Sequence, residues 1–187
     1  MTDTRRYVSP PREAQAAATR QRILEAFRDQ LIAGHDALSP SEAAEAAGCS
    51  VRTVHGYFPS RESRVEALAE WLDSQLYGES VPYPATVDDL PDHFRRIHQI
   101  ALGSPLAAAL LAQRGSEWAA VRDRRRAARL DAIREVAESV GAPPAITEEV
   151  AAVLVELASG EVSIGMRERS GLPDDRICDA IARTVEV

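Results

Sequence analysis

The sequence predicts an all-α fold of about nine helices, and three observations carry that expectation. Apolar residues recur at i, i+3, i+4 and i+7 along most of the 187 residues. A capping Ser or Thr precedes, or a Gly or Pro follows, nearly every such run. No stretch alternates apolar and polar residues between turn signals, as a half-buried strand would. With 45% hydrophobic and 27% charged residues, and Ala and Leu plentiful, the chain can fill a core and favours helix.

Residues 1–13, MTDTRRYVSPPRE, hold two adjacent prolines and are expected to form a disordered arm carrying Arg5 and Arg6. A first helix is expected over 14–33, with Ile23, Leu24, Phe27 and Leu31 on its buried face and Gly34 as its stop. The stretch SPSEAAEAAGCSVRTVHGYF, Ser39 to Phe58, follows. Ser39 takes an N-cap position, Pro40 the first helical position, and Glu42 stands three residues past the cap, which is the pattern of a capping box. Gly48 supplies a turn that needs positive φ, and Ser50 caps a second short helix. On that helix Val51, Val54 and Phe58 share one face by spacing. Arg52, Thr53, Gly56 and Tyr57 lie opposite, with His55 at the margin. This is a helix-turn-helix pattern, with Arg, hydroxyl and aromatic groups turned to a partner.

Pro59 stops that helix and Ser60 caps the next, expected over 61–77 with Val65, Leu68, Leu72 and Leu76 as its stripe. The run GESVPYP, 78–84, then breaks the chain. Further helices are expected over 88–102, 104–113, 117–140, 147–169 and 173–185, with Ser104, Ser116 and Thr147 as caps. The helix at 147–169 is apolar most of the way round, so it should be buried on two sides. One side is assigned to the domain core and the other to a second subunit, with the last helix as its neighbour. Val150, Leu154, Leu157, Ile177 and Ile181 are the candidate homodimer contacts; the alternative is that both helices lie in a monomeric core. The expected division is a head over 14–60 and a second domain over 61–187, with the helix 61–77 as connector.

The net charge is −7, which by itself argues against nucleic acid, but the charge is unevenly spread. Residues 1–64 carry nine Arg against eight acids, while residues 65–187 carry thirteen Arg against twenty-one. A head of net +1 must therefore bind a polyanion through a few well-placed groups rather than a basic field. Cys49 and Cys178 lack metal-ligand spacing and read as two small side chains in a reducing cytosol. No apolar run approaches ~18 residues and no leader-like segment is expected, so the expected location is cytoplasmic.

The runs TRQRILEAF (Thr19 to Phe27) and SPSEAAEAAGCSVRTVHGYFPSRESRVEAL (Ser39 to Leu68) resemble the DNA-binding head of TetR-type transcriptional regulators. The resemblance covers about the first third of the chain. It rests on the first helix, the helix-turn-helix and the YFPSRE join occurring in order. It departs at His55, where the family often has an aromatic residue, and at Gly56, where a larger side chain is usual. The resemblance implies that the remaining helices dimerise and bind a small-molecule effector.

Arg52 is the candidate for base contact, since its planar fork can reach guanine O6 and N7 together. Val51 is a candidate for a thymine methyl, although its spacing from Val54 favours the edge of the core. Thr53, His55, Tyr57, Arg61, Ser39 and Ser50 are candidate phosphate contacts, and Gly56 would allow close approach. Trp71, Phe94, His98, Trp118 and Met166 are candidate effector-pocket residues. The run Arg122, Arg124, Arg125, Arg126, Arg129 is read as a solvated helix paired with Asp123, Asp131 and Glu135, in preference to an anion site. No catalytic constellation is found, His93 and His98 do not share a helix face, and neither metal nor cofactor is expected. The reading is a regulator, expected to repress, that binds a palindromic site in double-stranded DNA as a homodimer. Its rivals are a regulator without a small-molecule effector and a helical protein-interaction module.

Overall fold

The structure, a computed structural model, describes residues 10–35, 37–78, 81–113 and 115–186. Among them the chain is all-α, with ten α-helices, one 3-10 turn and no strand. It divides into two compact units, 1–68 and 69–187. The division falls inside the helix expected as connector, eight residues past the expected boundary.

In the first unit, α1 spans Pro10–Ile32, α2 Pro40–Ala46 and α3 Val51–Tyr57, and α4 begins at Arg61. Residues 10–13 of the expected arm are thus the first turn of α1. Proline suits that place, because the first helical N–H groups have no intrahelical acceptor to lose. Arg5 and Arg6 lie outside the described residues. Ile23, Leu24, Phe27 and Leu31 of α1 are buried as expected, together with Leu38, Ala43, Val54 and Phe58. The Phe27 and Phe58 rings meet edge to face at 5.9 Å, and the Arg20 guanidinium sits 5.6 Å from the Phe58 centroid.

The expected capping box at Ser39 forms only in half. The Ser39 hydroxyl accepts from the Glu42 N–H at 3.4 Å. Its own N–H goes to Gln30 Oε1 at 2.6 Å, and Gln30 Nε2 donates to the Ser39 carbonyl at 3.1 Å. A buried amide of α1 thus replaces the Glu42 carboxylate, which faces His35 at 3.5 Å instead. That clamp fixes the start of α2 on α1. Gly48 turns with φ +64° as expected. At α4, Ser60 and Ser63 cap each other: each hydroxyl accepts from the other's N–H, at 3.1 and 3.0 Å.

The second unit holds the rest of α4, to Leu76, a 3-10 turn at Val87–Asp89, and six further helices. These are α5 Leu90–Gly103, α6 Pro105–Leu111, α7 Ser116–Ser139, α8 Pro144–Leu157, α9 Gly160–Ser170 and α10 Asp174–Thr184. Helix α5 is central, packing on α10, α9 and α6, while α7 packs on α8. Leu90, Phe94 and Ile97 of α5 join Val136, Ile177 and Ile181 in the main core.

The single helix expected over 147–169 is two helices, α8 and α9, broken at Ala158–Ser159. Thr147 is not its cap: the helix starts at Pro144, and the Thr147 hydroxyl donates back to the Pro143 carbonyl at 3.2 Å. Ser159 caps α9 instead, accepting from the Glu161 N–H at 3.4 Å. Gly160 then lets α9 approach α5 and α6. A Cβ there would stand 2.7 Å from Ala101 Cβ and 2.8 Å from Leu111 Cδ1.

Candidate functional site

Two places collect polar groups that the fold does not use. The first is the outer face of α3. Ser50 caps the helix, accepting from the Thr53 N–H at 3.1 Å, while the two hydroxyls bond at 2.8 Å. One hydroxyl proton of the pair is left to donate outward. Val54 and Phe58 anchor the helix in the core. Val51, Arg52, His55 and Gly56 are exposed, and their spacing places them on one face.

Several expectations change at this face. Val51 is 42% exposed, so its spacing from Val54 does not carry it into the core. The helix turns Val54 inward and leaves its first residue in solvent. Tyr57 is half-buried, and its hydroxyl donates to the Ala16 carbonyl at 3.1 Å. As placed, that proton is committed to α1 and not to an external phosphate. Ser39 bonds Ser41 at 3.0 Å and caps α2. Arg61 opens α4 and is half-buried. Arg52 makes no hydrogen bond or ion pair among the described residues. Gly56 has no φ requirement, and a Cβ built on it meets nothing within 4 Å.

The second place is a cavity of ≈ 360 Å³ in the second unit, lined by Asp73, Tyr77, Tyr83, His93, Arg125 and Arg129 among others. Val81, Pro82 and Ile97 give it apolar walls. A neighbouring cleft of ≈ 270 Å³ shares Tyr77, Ile97, Arg125 and Arg129, and adds Arg122 and Arg126. Four of the five arginines of the run therefore converge. Their spacing, i, i+3, i+4 and i+7, is one helix face, so the expected scatter over several directions is corrected. Their expected partners are corrected too. Arg125 reaches Asp73 of α4, at 2.9 Å from Nε and 2.5 Å from Nη2. Arg126 pairs with Glu156 of α8, and Arg122 donates to the Gln113 carbonyl at 2.7 Å.

Arg129 is different. No hydrogen bond or ion pair reaches it among the described residues, and its Nε is buried without a partner. Burial lowers its pKa, the largest of several influences. Asp73 is near, but its oxygens lie on Arg125, and burial raises its pKa against the pull of that cation. His93 is buried on the same cavity. Its Nδ1 lies 2.8 Å from the Pro82 carbonyl, which can only accept, so Nδ1 carries the proton. Nε2 is then a bare acceptor, buried and without a partner among the described residues. Burial lowers the His93 pKa and favours this neutral form. Burial also raises the Tyr77 pKa, keeping its phenol neutral.

None of the five residues expected to line an effector pocket lines this cavity. Phe94, His98 and Trp118 are buried core; Trp71 and Met166 are half-buried, the latter against the main cluster. On α5 it is His93 that faces the cavity. His98 donates from Nε2 to the Leu157 carbonyl at 2.9 Å, and burial pushes its pKa down to about 4. The signal that could have found the cavity is the one-face spacing of the arginines beside the tyrosines that flank the break after α4.

The candidate dimer residues separate as well. Ile177 and Ile181 are buried in the chain's own core, where α10 packs on α5, and are not available to a second copy. Leu154 and Leu157 are half-buried against that core. Val150 is exposed, as are Ile146 and Val153, at i, i+4 and i+7 on α8. No family model matches the chain, and no curated protein matches it.

Proposed function

We propose that the protein is a DNA-binding transcriptional regulator of the helix-turn-helix kind, resembling TetR-type regulators. It acts in the cytoplasm as a homodimer on a palindromic operator, and a small molecule held in the second unit controls it. One observation carries the reading. A short capped helix, anchored behind by Val54 and Phe58, turns outward a contiguous face that bears Arg52, which no described residue pairs. Such a face suits base edges in a major groove, where a guanidinium can bond guanine twice. The head's net charge of +1 makes each such group count, and doubling by symmetry supplies contacts that one short helix lacks. The exposed stripe Ile146, Val150 and Val153 on α8 is the surface we assign to the second copy. The cavity favours effector control over the effector-free alternative. The effector must distinguish the two states by a few kcal/mol to release DNA, and repression is the simpler outcome of that release.

The test is selection of bound sequences from random duplex DNA at a stated low salt concentration. A palindrome is expected, and Arg52→Ala should weaken binding by about 1–3 kcal/mol and relax one position. Failure to enrich any site would remove the reading.

A further inference from the structure

We propose that the cavity between α4, α5 and α7 is a binding site for a small hydroxylated aromatic carboxylate, with Arg129 as its anion partner and His93 as the acceptor for its hydroxyl. This rests on the effector reading above and deepens it. The argument starts from what the cavity lacks. Of the four arginines on that face of α7, three have protein partners and Arg129 has none among the described residues. Arg129 is half-buried with its Nε out of reach of solvent, and the nearby Asp73 carboxylate is bound by Arg125, so an entering carboxylate can complete the guanidinium with two parallel charge-assisted bonds. A cationic ligand would add to the imbalance, and a neutral one would leave it.

His93 narrows the ligand further. With Nδ1 bound to the Pro82 carbonyl, Nε2 accepts only, so the ligand must bring a donor. The walls narrow it again. Tyr77, Tyr83, Val81, Pro82 and Ile97 give a ring two aromatic neighbours and an apolar floor, which inorganic phosphate or sulfate would not use. A volume of ≈ 360 Å³ lies at the small end of ordinary ligand sites, suiting one ring and a short acid arm.

The experiment is calorimetric titration of the full chain with 4-hydroxybenzoate, 4-hydroxyphenylacetate and 4-hydroxycinnamate, each beside its primary amide and its analogue lacking the hydroxyl. At least one carboxylate should bind about tenfold or more tightly than its amide. Arg129→Met should remove that preference while leaving the amide's weak affinity unchanged. His93→Phe should remove the preference for the hydroxyl. Equal binding of acid and amide, or no binding of any acid, overturns the proposal, and both are read on the wild type even where a variant does not fold. The same preparation is tested on duplex DNA. Acid binding without DNA affinity keeps this site and removes the regulator reading. DNA binding without acid binding does the reverse.

Discussion

Arg52 and Arg129 are both arginines without a partner among the described residues, yet their situations are opposite. Arg52 stands in water on α3, where solvation covers its charge and waiting for a ligand is nearly free of cost. Arg129 is half-buried, its Nε out of reach of solvent, and that burial opposes its charge. The same contrast runs through the two units. The first keeps most of its unused polar groups at the surface, with His55 and Arg52 exposed and Arg64 Nε as its one buried, unpartnered atom among the described residues. The second buries several without partners: His93 Nε2, His98 Nδ1, Trp118 Nε1 and Arg129 Nε. A surface built this way can meet a large charged partner without rearranging. An interior built this way is itself less stable until something fills it.

The largest effect that would sharpen this contrast is acid lability confined to the second unit. His98 is fully buried, with its pKa held at about 4 against an ordinary value of 6.5. The folded state therefore favours the neutral ring, and the unfolded chain takes up the proton first as pH falls. Stability from this group is complete above about pH 6.5 and is lost as pH falls toward 4, by roughly 3 kcal/mol in all. His93 shifts the same way and adds to the loss. Urea unfolding at pH 7 and pH 4.5 measures it. His98→Gln keeps a donor for the Leu157 carbonyl and should flatten most of the slope. Hydrogen exchange should show α5 and α9 loosening in acid before α1. Equal loosening of both units would break the contrast.

Arg129→Met comes next in size. If the buried guanidinium is a liability in the empty protein, an apolar side chain of similar reach should stabilise it by about 1–2 kcal/mol. Arg52→Met, at an exposed position, should change stability by less than about 0.5 kcal/mol. Thermal unfolding of both variants without added ligand tests the pair. Destabilisation by Arg129→Met would mean that the guanidinium is satisfied in solution, and the distinction between the two arginines would fall.

What could be read in the sequence follows the same division. Local chemistry was mostly legible: Ser39, Ser50, Ser60 and Ser104 each cap the helix that their spacing announced, and Gly48 turns where it should, whereas Ser116 is the first residue of α7 with Gly115 at the cap position and its hydroxyl on Glu117. Those features depend on residues within four positions of one another. Apart from the caps expected at Ser116 and Thr147, the failures depend on distant ones. The break at Ser159–Gly160 lies inside an apolar pattern that runs on through it, and its cause is the nearness of Ala101 and Leu111. Spacing alone could not tell His93 from His98, because His98 meets the Leu157 carbonyl at the end of α8 while His93 meets the segment around Pro82 beside the cavity. The one-face spacing of Arg122, Arg125, Arg126 and Arg129 was present in the sequence. That Arg129 alone of the four would lack a partner among the described residues was not, since Asp73 and Glu156 come from helices far along the chain.

Gly56 gives the smallest effect and the most direct check on the first unit. A glycine inside a helix is less favourable than alanine by about 1 kcal/mol. Nothing in the head compensates: the backbone there has no positive φ, and an added Cβ would enter open space. Gly56→Ala should therefore raise the stability of the head by about 1 kcal/mol, read by denaturant unfolding. Its effect on DNA is the informative part. If the outer face of α3 lies against a duplex, a methyl group between Arg52 and the end of the helix stands where the sugar-phosphate backbone or a base edge must come. Affinity for the selected operator should then fall severalfold while stability rises. A variant that is more stable and binds DNA as well as the parent would show that this face does not approach closely, and α3 would lose its place as the reading helix.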